Sequence, residues 1–282
     1  MGIKILVDSA SDITQDEAKK YGIEVLPLIV SFGEKEYLDG VNLTQKEFYE
    51  KLIETDTLPK TSQITPYRFT EAFEKLTENG DELIVVTISS KLSNTYNSAV
   101  LAASEFEDKV YVVDSLSATA GEKILCLYAL RLIKEGLNIK DIVNKLNEVK
   151  NKIRILAVVG TLEYLKKGGR ISKATAFAGE LLNIKPVISV EDGIVKLVGK
   201  ARGSKKANNL LNELIDKKGS IDFTMPYTTL YSGLSDLMLK KYIEDEKHLW
   251  EDNTDNIPIY NVGSTIGTHV GPGAIGVVFF SK

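Results

Sequence analysis

Two segments rich in hydroxyl side chains could bind an anionic group. Thr61-Ser62-Gln63 comes shortly before a helix that Thr65 and Pro66 are predicted to begin, and residues 89–95 follow a predicted strand over residues 83–88. Helix starts, and the region beyond the carboxyl ends of strands in an open α/β sheet, are places where anions and other ligands bind. Each segment alone is typical of a helix cap. Two of them in one half of the chain make an anion site and a pair of caps equally reasonable predictions.

A second set of candidates lies in glycine-rich sequence further along the chain. Gly168-Gly169-Arg170 could lay a guanidinium against a phosphate or carboxylate with little steric obstruction. His269 lies in Thr268-His269-Val270-Gly271-Pro272-Gly273-Ala274, and a histidine in such a turn could donate to an anion or react with a carbonyl. The residues alone favour a simpler interpretation, in which Arg170 forms a surface ion pair and His269 is a loop residue.

Other chemistries have little support in the sequence. Two histidines and one cysteine are too few for a typical zinc site, and there is no His-Glu-x-x-His spacing. The sequence also has no Walker A segment, no Gly-x-Gly-x-x-Gly and no Gly-x-Ser-x-Gly. We therefore predict no metal and no cofactor, and a self-contained kinase, dehydrogenase or serine hydrolase is disfavoured.

Composition indicates an ordinary globular chain of 282 residues, 43% hydrophobic and 26% charged, for which about two domains are expected. The formal charge of -4 argues against a nucleic-acid-binding surface. Cys126, among leucines, predicts a buried, inert thiol and a reducing compartment. Because no apolar run approaches bilayer length and the first residues lack a signal-peptide layout, we expect a soluble, cytoplasmic protein with no integral membrane segment.

The pattern of elements predicts an α/β fold in two domains. In residues 1–150, strands over residues 3–7, 23–32, 83–88 and 110–113 alternate with amphipathic helices, which indicates a doubly wound, mostly parallel sheet. In residues 151–282 the predicted strands are 155–159, 187–190, 194–198, 257–262 and 275–280, with helices near 204–217 and 234–247. This half is predicted to be a second α/β domain with a mixed sheet. No Pro/Gly/Ser-rich linker separates the halves, so we expect them to pack closely.

Taken in order along the chain, these segments resemble the DegV family, which includes the fatty-acid-binding (FakB-type) subunits of bacterial fatty acid kinase. The resemblance spans essentially the whole chain and is specific as an ordered set. It rests on Asp8-Ser9, Thr61-Ser62-Gln63, Leu92-Ser93-Asn94-Thr95-Tyr96, Val113-Asp114-Ser115 with Gly121, Leu165-Lys166-Lys167-Gly168-Gly169-Arg170-Ile171, Lys185-Pro186, and His269-Val270-Gly271-Pro272-Gly273-Ala274.

The resemblance implies a long-chain fatty acid, such as a C16 or C18 acid, buried between the two domains. Its carboxylate would be bound by Thr61 and Ser93. The ligand site would further include Asn94, Thr95, Gly267 and Thr268.

The resemblance also implies a partner protein. ATP would be handled by a separate, dihydroxyacetone-kinase-like fatty acid kinase subunit, which would form an acyl phosphate. Arg170 and His269, together with Ser62, match positions linked to engaging that kinase and to phosphoryl transfer. The chain itself would then be a lipid-binding subunit with no catalytic residue of its own.

The sequence departs from the family pattern at two places. Ile64-Thr65-Pro66 stands where Pro-Ser often follows the Thr-Ser-Gln segment, and we expect Thr65 to cap the helix all the same. Asn94 replaces the more usual glycine after Ser93. Because asparagine tolerates the left-handed conformation better than most residues, we expect the turn to survive with a subtly reshaped carboxylate pocket.

Two other functions stay open at this stage. The chain could be a lipid carrier or sensor without a kinase partner, which would use the same pocket. Alternatively, it could be a small-molecule enzyme that uses His269 covalently on a carbonyl, by analogy with dihydroxyacetone kinases. The second alternative predicts a small, polar pocket.

Overall fold

The structure is a computed structural model that describes residues 2–172, 183–250 and 256–282. The strands in this part of the chain are β1 (Ile3–Asp8), β2 (Ile23–Leu26), β3 (Ile29–Phe32), β4 (Lys35–Leu38), β5 (Lys60–Ser62), β6 (Glu82–Thr87), β7 (Val110–Asp114), β8 (Ile153–Val158), β9 (Ile184–Glu191), β10 (Ile194–Arg202), β11 (Thr228–Tyr231), β12 (Ile259–Asn261) and β13 (Ile275–Phe280). The helices are Gln15–Tyr21, Gln45–Glu54, Pro66–Thr77, Thr95–Ala103, Ala120–Lys134, Ile139–Val149, Glu163–Lys167, Ser204–Lys217, Leu237–Asp245 and Ser264–Val270.

The strands form a parallel sheet and a mixed sheet, which confirms the predicted α/β fold class. The parallel sheet has the order β2-β1-β6-β7. The mixed sheet has the order β10-β9-β8-β13-β11-β12, in which β11 and β12 are parallel and the other pairs antiparallel. The continuous apolar run of β6 is buried on both faces, as expected for a covered parallel sheet.

The helix Ala120–Lys134 lies between the two sheets and contacts β1 and β6 on one side and β8 and β13 on the other. Its residues Ile124, Leu125 and Cys126 are fully buried, which confirms the predicted burial of the cysteine; burial raises the pKa of the Cys126 thiol. The main core continues through this helix and includes both Ile5 and Phe280. The division at residue 150 therefore stays a prediction, because the two halves share one core.

The prediction of one strand over residues 23–32 is wrong. The chain forms β2 up to Leu26 and then β3 from Ile29, and these strands belong to different sheets. Pro27 lies between them; it has no N–H to donate to a ladder, and its ring fixes φ. The small antiparallel sheet β4-β3-β5 that begins here was not predicted, although it carries Thr61 on β5.

Several local signals are confirmed. Thr44 and Glu47 form a capping box, Thr65 caps the helix that starts with Pro66, and Gly22 ends its helix at φ 69°. Gly193 has φ 79° in the β9–β10 hairpin, as predicted. The helix Ser264–Val270 and the strand β11 were missed.

Two buried aspartates follow one another closely in the sequence: Asp8 bonds within residues 1–150, and Asp12 joins the two halves of the chain. Asp8 accepts from Ala10 N at 2.9 Å and from Ile88 N at 2.8 Å. Asp12 accepts from Gly263 N at 2.9 Å and from Thr119 Oγ1 at 2.5 Å. Burial raises the pKa of both carboxyl groups to about 7. Since the folded-state pKa is raised, the protonated forms favour folding below the ordinary carboxyl pKa, and this contribution is lost as pH rises through about 7.

Asp39 is the third of these carboxylates, and it accepts the first N–H groups of the helix Ser264–Val270. Its side chain is bonded to Ser264 N at 3.2 Å, to Thr265 N at 3.3 Å and to the Ser264 hydroxyl. It also accepts from Ser9 Oγ at 2.9 Å. Asp39 is only 3% exposed, so water cannot replace these bonds easily.

We expect Asp39→Asn to lower the free energy of unfolding by about 2 kcal/mol, measured by urea denaturation. Both carboxylate oxygens of Asp39 accept hydrogen bonds, so the NH₂ group of the asparagine faces a donor in either orientation of its amide. The control is Asp245→Asn, which removes a solvent-exposed carboxylate paired with Lys241 at 3.1 Å and should cost less than about 1 kcal/mol. Equal losses in the two variants would mean that Asp39 does not hold this helix in place.

Candidate functional site

A mostly apolar space of about 400 Å³ lies between the carboxyl ends of the parallel strands and the mixed sheet. We call it the cavity. Its volume is in the range of ligand-binding sites, and its position beyond the strand ends is typical of open α/β sheets. Most of its wall is aliphatic and comes from both halves of the chain, including Leu28, Ile88, Ile155, Ile188, Val195 and Ile266.

Polar groups from both halves meet at one part of the wall. Thr61 Oγ1 on β5 lies 2.9 Å from His269 Nε2 on the helix Ser264–Val270. Because these residues are 208 positions apart in the sequence, they were predicted as members of two separate candidate sites. Ser62 and Gln63 are exposed and also line the cavity, and Gln63 donates to Ser98 Oγ at 3.1 Å.

His269 is held in a tight, partly buried position. Its Nδ1 has no hydrogen-bond partner in the described part of the chain, and a Cβ at Gly168 would overlap this atom. Burial, and secondarily the charge of Arg170, lower the pKa of His269 to about 4. The imidazole is therefore neutral at neutral pH. Because the folded-state pKa lies below the ordinary value of about 6.5, His269 costs stability as pH falls from about 6.5 towards 4.

Arg170 connects this histidine to the loop that carries Ser93. Its NH1 donates to Gly168 O at 2.5 Å and its Nε donates to Leu92 O at 3.2 Å. Burial lowers the pKa of the guanidinium, which still stays charged because its ordinary value is so high. The expectations of a surface ion pair for Arg170 and of a loop position for His269 are wrong, since Arg170 is partly buried against backbone carbonyls and His269 is helical.

Ser93 lines the cavity and is supported from behind by Thr95. The two hydroxyl oxygens are 2.9 Å apart, and Thr95 N donates to Ser93 Oγ at 3.3 Å. Asn94 also lines the cavity, and its φ of −77° shows that this turn does not need the left-handed conformation. The substitution of asparagine for glycine is therefore compatible with the backbone for a different reason from the one expected.

Three of the residues predicted to contact a ligand lie behind the wall rather than on it. Thr95 is fully buried, where it braces Ser93. Gly267 faces the helix Gln45–Glu54, where an added Cβ would overlap Phe48, and Thr268 donates to Ser264 O at 2.9 Å. The helical period explains the positions of Gly267 and Thr268, because the residues of this helix that line the cavity are Thr265, Ile266, His269 and Val270.

Two polar residues of the cavity wall were not predicted as site residues. Thr119 and Thr265 both contribute to the wall. Both stand in hydroxyl-rich sequence that follows a predicted strand, Thr119 after residues 110–113 and Thr265 after residues 257–262, so the signal that identified residues 61–63 and 89–95 was present there as well. Within residues 2–172, 183–250 and 256–282, no group of His, Cys, Asp or Glu side chains is arranged to hold a metal ion, and no helix is long and apolar enough to cross a membrane.

Comparison with known proteins gives matches over the full length of the chain. A model of the DegV family of uncharacterised proteins matches residues 2–282. A DegV domain-containing protein from Caldanaerobacter subterraneus is 36% identical over 288 residues, which cover 99% of each chain. One from Staphylococcus aureus is 34% identical over 280 residues, 99% of this chain and 98% of the relative.

Solved structures agree with these matches. A DegV family protein from Thermus thermophilus, described as binding fatty acid, superposes with a TM-score of 0.87 at 32% identity, and all of both chains is covered. A stearic-acid-binding protein from Eubacterium ventriosum superposes with a TM-score of 0.85 at 29% identity, covering 100% of this chain and 99% of that one. On the family match and the identity to these relatives, the chain belongs to the DegV family.

Proposed function

We propose that this protein binds one long-chain fatty acid in the cavity and presents its carboxyl group to a separate, ATP-dependent kinase subunit. The observation that carries the proposal is an aliphatic cavity with hydroxyl, imidazole and guanidinium groups gathered at one part of its wall. A long-chain acid has the same arrangement, since its acyl chain suits the aliphatic wall and its single anionic end suits the polar groups. The fatty acids described for the related structures from Thermus thermophilus and Eubacterium ventriosum support the same ligand class.

Burial of the acyl chain supplies enough free energy for capture. About 14 methylene groups at ~0.8 kcal/mol each give a gross transfer term of about 11 kcal/mol. Part of this is offset by the lost freedom of the ligand and of the side chains that it orders. The polar groups therefore need to position the head group and distinguish it from the chain, rather than provide most of the affinity.

The protonation of His269 decides what Thr61 can offer the carboxylate. Gly168 packs directly against Nδ1, and no acceptor for a proton on that atom lies within the described residues. We therefore assign the proton to Nε2, which donates to Thr61 Oγ1. The Thr61 hydroxyl proton is then free to point at a carboxylate oxygen, and the Ser93 hydroxyl can provide a second donor.

The kinase step is supported by the charge of the site. Arg170 is a fixed positive charge beside a neutral histidine. A carboxylate has one negative charge, and an acyl phosphate carries more, so Arg170 stabilises the product more than the substrate. We propose a dihydroxyacetone-kinase-like, FakB-type partnership on this ground, and an ATP-dependent partner would place the complex in the cytoplasm.

A lipid carrier or sensor without a kinase would use the same cavity and is the second candidate. Adding a cognate kinase subunit with ATP and assaying acyl phosphate separates the two. A small-molecule enzyme with a covalent His269 would need a small polar pocket, and the largely aliphatic wall argues against it.

We expect the purified protein to retain close to one fatty acid per chain. Native mass spectrometry should show the bound mass, and extraction under denaturing conditions followed by chromatography should identify the acid. The reason is the large transfer free energy of a buried chain. Trace amounts of acid, together with no binding when delipidated protein is titrated with palmitic acid, would refute the proposed function.

We expect Thr61→Val combined with Ser93→Ala to weaken palmitic acid binding by about 30-fold, since each hydroxyl donor contributes ~1 kcal/mol. Titration of delipidated protein measures the change. The melting temperature of the ligand-free form should stay nearly the same. Ser104→Ala serves as the control, because that hydroxyl donates to Leu101 O at the end of its helix and does not line the cavity. Unaltered affinity in the double variant would place the carboxylate elsewhere.

We expect Arg170→Ala and His269→Ala to keep fatty acid binding and to lose at least tenfold in the rate of acyl phosphate formation with a kinase subunit, because they act on the phosphorylated or docked state. Lipid occupancy, melting temperature and phosphorylation rate are measured on the same samples.

The matched control is Arg131→Ala. This arginine also donates to a backbone carbonyl, Thr224 O at 2.9 Å, but it does not line the cavity. If lipid occupancy, melting temperature and phosphorylation rate all fall together in the Arg170 variant, the role of Arg170 is only to hold the Ser93 loop in place. Full activity in both site variants would remove both residues from the mechanism.

A further inference from the structure

The chain leaves the helix that carries His269 through a turn with few side chains of its own to hold it. His269 lies in the last turn of the helix Ser264–Val270, and residues 271–274, which we call the exit turn, lead from there into β13. Gly271 and Gly273 have φ of 72° and 82° and no side chain, and the residue between them is a proline, which has no N–H to donate. The position of the exit turn therefore depends on bonds from elsewhere in the fold.

Ser232, which directly follows β11, supplies four such bonds. Its hydroxyl donates to Gly271 O at 2.7 Å and accepts from Ala274 N at 2.8 Å. Its backbone N–H donates to Ala274 O at 3.0 Å, and its carbonyl accepts from Gly273 N at 2.8 Å. Ser232 is only 3% exposed, so water cannot replace these bonds easily. One serine thus holds both ends of the exit turn.

The exit turn also packs against the helix Glu163–Lys167. A Cβ at Gly271 would overlap the ring of Tyr164, which lies in that helix. Gly168, the next residue after the helix, donates from its N–H to Tyr164 O at 2.8 Å, and a Cβ at Gly168 would overlap Nδ1 of His269. The contacts therefore run without a gap from the exit turn to the imidazole, and a shift of the turn would change the space in which the ring lies.

The bonds of Ser232 act close to His269 along the chain as well. The helix Ser264–Val270 has seven residues, so its position depends on what holds each of its ends. Asp39 holds the start through Ser264, five residues before His269, whereas Ser232 holds Gly271, two residues after it. Of these two contacts, the one at the exit turn is the nearer to the imidazole.

We propose that Ser232 is a positioning residue of the site, which keeps His269 against Thr61 by holding the exit turn in place. The inference rests on the proposed function, in which His269 contributes to the phosphoryl step. Ser232 itself does not line the cavity, whereas Val270 and Ala274, on either side of Gly271, do. Its effect on the ligand therefore passes through the residues that it holds.

The test observes the imidazole directly, by ¹⁵N NMR of the ligand-free protein. The chain has two histidines, and His248, whose side chain is 73% exposed, serves as an internal reference. Wild-type His269, with a pKa of about 4, should be almost entirely neutral at about pH 5.5. In Ser232→Ala we expect its protonated fraction at that pH to increase about tenfold, because a displaced ring gains contact with water. Ser232→Thr, which keeps the hydroxyl, should restore the wild-type fraction.

Thr229→Val is the matched control. Thr229 lies in β11, is fully buried, donates from its hydroxyl to Pro258 O at 2.8 Å and does not line the cavity. This variant should leave the protonation of His269 unchanged. If Ser232→Ala does not fold, Ser232→Cys is measured in its place, because a thiol fills a similar space but forms only weak hydrogen bonds. The wild-type protonated fraction in the Ser232 variant, or an equal increase in Thr229→Val, would overturn the inference.

A second measurement connects the position of the ring with the proposed activity. With saturating kinase subunit and ATP, Ser232→Ala should form acyl phosphate about three- to tenfold more slowly than wild type, and its Kd for palmitic acid should stay within about threefold. Ser232→Thr should recover the rate, and a wild-type rate in Ser232→Ala would also overturn the inference. The NMR measurement needs neither ligand nor kinase. A wild type that binds no palmitic acid would therefore refute the proposed function, while the NMR result still decides whether Ser232 positions His269.

Discussion

The hydrogen bonds from Gly263, Ser264 and Thr265 to the carboxylates of Asp12 and Asp39 are the constraint on which the site depends. The helix that they begin has seven residues, too few to be stable without tertiary support. Acceptors from the first forty residues fix its start, and its packing against β3, β5 and the helix Gln45–Glu54 fixes its direction. His269, one turn further on, is consequently placed against Thr61. Neither Asp12 nor Asp39 lines the cavity. The geometry of the polar cluster is therefore set by side chains that lie outside the cavity wall.

The polar cluster combines the fixed positive charge of Arg170 with several neutral groups. Arg170 is braced by hydrogen bonds to the carbonyls of Gly168 and Leu92, which hold its guanidinium at the cavity wall. The neutral imidazole of His269 does not add a second positive charge to a partly buried site, which would be costly without a counter-ion. Among the described residues that line the cavity, Arg170 therefore supplies the positive charge, and the remaining polar groups of the wall are neutral.

The sequence predicted the strands and helix starts that depend on residues close to one another in the chain. Continuous apolar runs identified β1, β6 and β7, and capping residues such as Thr44 and Thr65 identified helix starts. The helix Ser264–Val270 escaped prediction because its residues are mostly β-branched or glycine, which have low helical propensity, and because its stabilising acceptors are more than 220 positions away. The site motifs were recognised singly for the same reason. The contact between Thr61 and His269 exists only once the two halves have met.

A separate contact joins the two halves near the Ser93 loop. The tip of the β9–β10 hairpin accepts from this loop, with Ser89 Oγ bonded to Gly193 O at 2.8 Å and Lys91 Nζ to Asp192 O at 2.7 Å. A Cβ at residue 193 would overlap the Ser89 hydroxyl, so glycine is required there both for its positive φ and for the close approach. The cavity wall is therefore shared between elements that only hydrogen bonds and packing hold together. A ligand that binds the folded chain and contacts both sides of the wall would add its binding free energy to the stability of the fold, so occupancy of the cavity would raise the free energy of unfolding by thermodynamic linkage.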